Sequence, residues 1–285
     1  METGKRAGSG IAVFSSSTGR FERWLVRGAE GLLPVTVGPR DRWVYYVSTT
    51  SGGWCAGNGY TQPVLWRVPS DGGRPRRTGL RTGSIAFTPD GRMAACVWTR
   101  HCGRTVWIVV RDRRAGTSCR IFLTRNATTS NNAVATAELS WSPDDQYLAV
   151  GISPAAAINS VTIVDTRHAS AVVGQPIRPC AGRGAECLDS AFDSRGALVF
   201  LAWRQSGTAE RMVRWNGHRG TTLFRPSADQ SAGFAASIAV DRSGDAILLS
   251  GGMHRLEIWR WTAGRSHMIA QSTPRRTIVN PLWLE

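Results

Sequence analysis

The sequence predicts an all-β chain folded as a six-bladed β-propeller. Three observations carry this. A strand–turn–strand unit recurs five times, its turns fall about 50 residues apart, and no segment sustains a helical period of 3.6 residues. The clearest copy is AELSWSPDDQYLAVGI, from Ala137 to Ile152. Leu139 and Trp141 belong to its first strand, Ser142-Pro143-Asp144-Asp145 to its turn, and Tyr147 to Val150 to its second strand. Proline pre-sets φ for such a turn and aspartate bonds the backbone just downstream.

Taken in order, residues 11–26 (IAVFSSSTGRFERWLV) read as two strands joined at Ser17-Thr18-Gly19-Arg20. The first copy of the unit runs from Pro34 to Val47, with Gly38-Pro39-Arg40-Asp41 as its turn. A strand at Val64 to Val68, a turn at Ser70 to Gly73 and a basic outer strand follow. Copy two spans Ile85 to Trp98 around Pro89-Asp90-Gly91, the strongest turn signal in the chain. Thr105 to Leu123 supplies its outer pair of strands. Copy three is the unit first described, followed by SVTIVDT. Copies four and five occupy Asp189 to Trp203 and Ala236 to Gly251, each followed by outer strands.

Aligning the turns puts Asp41, Gly91, Asp145, Gly196 and Gly244 in register. Each unit supplies roughly four short strands, the content of one propeller blade. The register also predicts how the ring closes. TIVNPLWLE resembles the first strand of a sixth copy, so the last blade takes its inner strand from residues 278–283 and its outer two from 11–26. Such closure removes two exposed edges. Either that blade has three strands or the natural chain extends beyond this one. Residues 1–10 read as a disordered tail and 11–285 as a single domain.

The formal net charge is +15, and of the 35 basic residues only Lys5 is lysine. Arginine codons are GC-rich, so the skew reads as genome composition; the charge itself reads as a solvated surface, with an anion-binding face that draws polyanions as the alternative. Short basic tracts stand at Arg74-Pro75-Arg76-Arg77, Arg111 to Arg114 and Arg275-Arg276, and the other arginines are dispersed over turns and strand ends. No apolar run approaches the ~18 residues of a membrane span, and METGKRAGSG lacks the apolar stretch of a signal peptide.

Six cysteines form no CxxC pair and have no histidines at zinc-ligand spacing, which argues against a metal site. Cys180 and Cys187 flank a flexible loop and make the best disulfide candidate; Cys55 and Cys102, on equivalent loops, make the next. Cys96, in an apolar run, reads equally as an inert buried thiol. This cysteine usage points to an oxidising compartment.

No catalytic constellation emerges, and no cofactor site. The five histidines follow no short ligand pattern, and Gly151-Ile152-Ser153 fails the nucleophile-elbow pattern at its last glycine. Gly57-Asn58-Gly59 and Gly182-Arg183-Gly184 are too short for a phosphate fingerprint, and Asn126-Ala127-Thr128 matches a glycosylation triplet of the kind that arises by chance. Asp90, Asp144, Asp193 and Asp241 recur in the turns, where an acidic ring is geometrically open but turn chemistry alone accounts for them. Of the 12 tryptophans, Trp98, Trp141 and Trp203 are expected to pack between blades. Trp24, Trp66, Trp107, Trp259 and Trp261, on outer strands, are expected to do the same; a sugar- or base-stacking surface is the other reading.

The segments SWSPDDQYLAV, AFTPDGRMAACVW and VLWRVPSDGGRPRR resemble the WD-type propeller repeats of TolB-like proteins, whose blades carry an (F/W)SPDG turn. Trp-Arg and Ile-Val-Asp at strand ends fit the same family. The resemblance spans about Ile11 to Trp283. It departs in copies four and five, where Ser-Arg-Gly and Arg-Ser-Gly replace Pro-Asp-Gly, and in lacking the Trp-Asp ending of eukaryotic WD repeats. It implies an extracytoplasmic module of a bacterial protein.

The expected function is a non-enzymatic interaction module that binds a protein or an anionic polymer, with nucleic acid a less favoured partner. The alternative is a hydrolase or lyase with its site in the central channel, for which a histidine beside two carboxylates at one channel mouth is the discriminating feature.

Overall fold

The computed structural model describes residues 10–15, 17–18, 20–27, 32–48, 63–100, 105–125, 136–153, 160–166, 185–204, 209–225, 237–241, 246–251, 257–262 and 265–271. They form six antiparallel sheets in series. The first is the hairpin of β1 (Gly10–Phe14) and β2 (Phe21–Arg27). The second contains β3 (Leu32–Val37), β4 (Trp43–Ser48), β5 (Val64–Pro69) and β6 (Arg76–Arg81). The third contains β7 (Ile85–Phe87), β8 (Met93–Arg100), β9 (Thr105–Asp112) and β10 (Ser118–Arg125).

Among the described residues the fourth sheet has three strands, β11 (Thr136–Trp141), β12 (Tyr147–Ser153) and β13 (Ser160–Asp165). The fifth has β14 (Ala185–Phe192), β15 (Leu198–Arg204), β16 (Ala209–Trp215) and β17 (Gly220–Phe224). The sixth has β18 (Ser237–Val240), β19 (Ala246–Gly251), β20 (Glu257–Thr262) and β21 (Arg265–Gln271).

Strands within each sheet pair in sequence order. First strands lie against one another from sheet to sheet, β3 with β7, β7 with β11, β11 with β14 and β14 with β18. Only a radial stacking brings innermost strands together while outer strands diverge, which is propeller geometry. Hydrophobic alternation drives it, because successive side chains of a strand point to opposite faces. On β4, Val44 and Tyr46 pack with Ile11 and Leu25 of the hairpin, while Tyr45 and Val47 pack with Ile85 of the next sheet. On β15, Leu198 and Phe200 join Ala149 and Val161, while Val199 and Leu201 join Ile238 and Trp261. Second strands are therefore apolar on both faces, and VYYV and LVFLA read as unbroken runs.

The hairpin packs against the second sheet, β1 on β3 and β2 on β5. Arg23 of β2 donates from Nη2 to the Ser70 carbonyl at 2.8 Å, so the hairpin turn shares an end with the turn after β5. The expected pairing of residues 278–283 with this hairpin and residues 1–9 of the expected tail lie outside the described residues; Gly10, expected in that tail, instead begins β1, paired with Arg27. No helix among the described residues is long and apolar enough to cross a membrane.

Candidate functional site

The turns joining first to second strands, and third to fourth, share one end of the sheets. Backbone bonds tie them together: Ser70 N–H to the Arg42 carbonyl at 3.1 Å, and Arg113 N–H to the Arg92 carbonyl at 2.8 Å. The residues that the sequence aligns have a common conformation. Asp41, Gly91, Asp145 and Gly196 all adopt left-handed φ, at 52°, 74°, 59° and 76°. The register therefore tracks a backbone requirement that glycine meets freely and aspartate tolerates; Gly244 lies outside the described residues.

The aspartates of these turns face inward, onto their own backbone. Asp90 Oδ1 accepts from the Thr88 hydroxyl at 2.7 Å and the Arg92 N–H at 2.8 Å. Asp144 Oδ1 accepts from the Ser142 hydroxyl and the Gln146 N–H. Asp193 Oδ1 accepts the N–H groups of Arg195 and Ala197, and its Oδ2 pairs with Arg214 Nε at 2.9 Å. Asp112 does likewise for the turn after β9, accepting from Arg114 and Ala115. The bond from the Arg92 N–H, then the Thr88 hydroxyl, holds Asp90 below the ordinary carboxylate range, and the Ala115 N–H does so for Asp112. These groups are turn caps, as turn chemistry predicts. Asp241 ends its strand partly buried.

Asp145 is the exception. Burial pushes its carboxyl up, the neighbouring Asp90 adds to this, and Arg92 opposes it. Its Oδ1 is buried with no hydrogen-bond partner among the described residues.

Against the exposed Asp71, Asp90 and Asp144, the exposed charge at this end is mostly guanidinium. Arg40, Arg42, Arg74, Arg92, Arg113 and Arg114 are all exposed. Several arginines are held on aromatic faces: Arg67 over Trp43 at 4.4 Å, Arg120 over Trp98 at 5.1 Å, Arg113 over Phe87 at 5.7 Å and Arg77 over Trp66 at 5.8 Å. The Trp-Arg dipeptides were visible in the sequence. The stacking of arginines on rings was not, because it joins residues far apart in sequence that the sheet brings together. The Asp193–Arg214 pair escaped for the same reason.

The tryptophans follow the packing expectation. Trp141 is buried and donates from Nε1 to the Ala86 carbonyl of the preceding sheet at 3.3 Å. Trp261 is buried and stacks on Phe224, and Trp98 lies on Trp107 with centroids 4.9 Å apart. Trp66 lies between Tyr46 and Arg77, and Trp24 against Phe21. The Trp203 side chain is outside the description.

His218, on the turn between β16 and β17, and His267, on β21, are exposed; His101, His168 and His254 lie outside the described residues. No group of three His, Cys, Asp or Glu side chains that would hold a metal forms among the described residues. Cys96 and Cys119 carry free thiols, both pushed up by burial. Of the disulfide candidates, Cys55, Cys102 and Cys180 lie outside the described residues; Cys187 stands on β14 opposite Ala202, with its side chain undescribed. The two Gly-x-Gly loops and Asn126 also lie outside.

No family model matches the sequence, and no curated protein matches it. Among solved structures the chain is similar to a candidate TolB from Agrobacterium tumefaciens, at 16% identity and a TM-score of 0.65, covering 94% of this chain and 90% of that one. It is similar to TolB from Acinetobacter baumannii at 14% identity and a TM-score of 0.61, covering 89% of this chain but only 57% of that one. An oligogalacturonate lyase in complex with manganese matches at 12% identity and a TM-score of 0.53, over 82% of this chain and 63% of that one. The fold is a TolB-like β-propeller.

Proposed function

We propose that this chain is a non-enzymatic interaction module, an extracytoplasmic propeller scaffold that binds a protein or an anionic polymer. Fold alone does not choose this, since propellers also carry lyases and peptidases. The observation that supports it is the treatment of charge at the turn end. Asp90, Asp112, Asp144 and Asp193 bond their own turns, Asp71 stands exposed, and beside them Arg40, Arg42, Arg74, Arg92, Arg113 and Arg114 are exposed, with Arg113 held over Phe87 and on the Gly91 carbonyl. Such a surface offers many fixed cationic donors to a large anionic partner and few groups free for proton transfer.

Calorimetric titration of the chain with polyglutamate, as a model of an acidic protein segment, and with inorganic polyphosphate tests the reading. Saturable binding of either at about physiological salt, weakening as salt rises, is expected. Turnover of ester, peptide or polyuronide substrates by the purified chain, without such binding, would replace this reading by a hydrolase or lyase acting in the central channel.

A further inference from the structure

Strand β6 and the turn before it carry Arg74, Arg76, Arg77 and Arg81, all exposed. Among the described residues β6 is outermost in its sheet, with no strand paired on its outer edge. The register puts Arg76 directly opposite Arg67 of β5, two like charges as cross-strand partners. Such opposition is destabilising, and Arg67 eases it by laying its guanidinium over Trp43 of β4, on the side away from β6. Among the described residues no carboxylate pairs with Arg67, Arg74, Arg76 or Arg77. Arg67 is further constrained: its guanidinium lies over Trp43, and its buried Nε has no hydrogen-bond partner among the described residues.

We propose that this rim binds a linear phosphate polymer lying along β6, held by guanidinium–phosphate pairs from both faces of the sheet. The inference rests on the reading of the chain as a binding scaffold and names the partner of one surface. Arg67 and Arg76 share one face, Arg77 the other, so the cations straddle the edge. Six residues of strand span about 20 Å, room for several phosphates. Planar guanidinium forks suit phosphate.

Two observations set aside other occupants. Pairing along β6 is irregular, with Gly79 at φ 78° and the Thr78 hydroxyl bonded to the Leu65 carbonyl, so the edge is poorly shaped to receive another strand from a protein. Trp66 is covered by Tyr46 on one side and Arg77 on the other, and Arg67 lies over Trp43, so the rim presents guanidinium where a nucleic-acid base would need a bare ring. Recognition is of phosphate alone.

The test titrates the full chain with inorganic polyphosphate between about 50 and 200 mM salt. Two variants of equal charge loss are compared, R74Q/R76Q/R77Q/R81Q at the rim and R20Q/R219Q/R225Q/R265Q at exposed positions elsewhere. The rim variant is expected to lose affinity about tenfold or more and to flatten the slope of log affinity against log salt by about 3, near 0.7–0.9 per lost contact. The dispersed variant should change about twofold. A rim variant carrying lysines instead keeps the charge and should keep the slope, which separates lost charge from lost fold. Equal losses in the two glutamine variants overturn the site. So does single-stranded DNA of equal phosphate number binding more than about tenfold tighter, since that would require base recognition. Failure of the wild-type chain to bind polyphosphate while binding polyglutamate overturns this inference and leaves the scaffold reading standing.

Discussion

The indole Nε1 of Trp141, on β11, donates to the backbone carbonyl of Ala86, on β7, at 3.3 Å. One side chain thus fastens two neighbouring sheets by their innermost strands. The ring is 6% exposed and sits in a cluster with Ala95, Val97, Ile108, Leu148 and Val150. Trp141→Ala should lower stability by roughly 3–5 kcal/mol, the usual cost of removing a large buried ring. Trp141→Phe should retain most of the burial and cost about 1 kcal/mol for the lost hydrogen bond. Denaturant titration measures both. A melting temperature unmoved by Trp141→Ala, with loss of ligand binding alone, would assign the ring to a functional surface instead.

A second prediction separates two causes of strain at equivalent glycines. Gly91 and Gly196 share left-handed φ, so a Cβ at either costs about 1–2 kcal/mol. At Gly196 a Cβ meets nothing within 4 Å; at Gly91 it meets Pro39 of the neighbouring turn at 2.5 Å. Gly196→Ala should therefore cost about 1 kcal/mol, and Gly91→Ala about 2–4 kcal/mol as overpacking adds to the backbone term. Equal melting temperatures for the two variants would mean that the turns of adjacent sheets do not press on each other.

The same turns show what was legible in the sequence and what was not. Their alignment at Asp41, Gly91, Asp145 and Gly196 was visible because proline, aspartate and glycine each mark a local backbone state. The propeller was visible because the strand–turn–strand unit recurs about every 50 residues, and a turn is a local pattern. Cross-strand events were hidden. Neither the Asp193–Arg214 pair nor the stacking of Arg67 on Trp43 follows from spacing along one strand; each depends on the register between strands. The opposition of Arg67 and Arg76 was hidden likewise, although the Arg74-Pro75-Arg76-Arg77 tract stood out by composition.

The third prediction concerns Asp145. Its φ is left-handed and its Oδ1 is buried without a partner among the described residues. Burial first, then the Asp90 carboxylate, raises its native pKa above the ordinary 3.8. Such a group takes up protons on folding, so its penalty is present above the raised pKa and relieved as pH falls towards 3.8. Asp90 runs the other way: its native pKa is lowered, so its contribution is present above 3.8 and lost as pH falls through the lowered value. Asp145→Gly should stabilise the chain by about 1 kcal/mol at neutral pH, and the gain should shrink towards about pH 4. Asp145→Asn keeps the tolerance for left-handed φ and should show the same shrinking gain from charge removal. Stability curves parallel to wild type across that range would contradict the buried-carboxylate account.

The fourth prediction concerns the staple between Asp193, in the turn after β14, and Arg214, on β16. The carboxylate side chain is fully buried and the guanidinium partly exposed, 0% against 23%. Asp193 therefore does two jobs, closing its own turn through the N–H groups of Arg195 and Ala197 and anchoring the third strand through Arg214. Removing it leaves two N–H groups without their acceptor and takes the paired carboxylate from a partly buried guanidinium, so Asp193→Ala should cost roughly 3–5 kcal/mol. Arg214→Ala leaves a fully buried carboxylate facing no cation and should cost a comparable amount, partly offset by the turn bonds that Asp193 keeps. The double variant should then fall well short of the sum of the singles, with a coupling of about 1–3 kcal/mol. Additive losses in that cycle would mean the pair contributes nothing beyond its members' separate roles, and the third strand would owe its position to the packing of Met212 and Val213 alone.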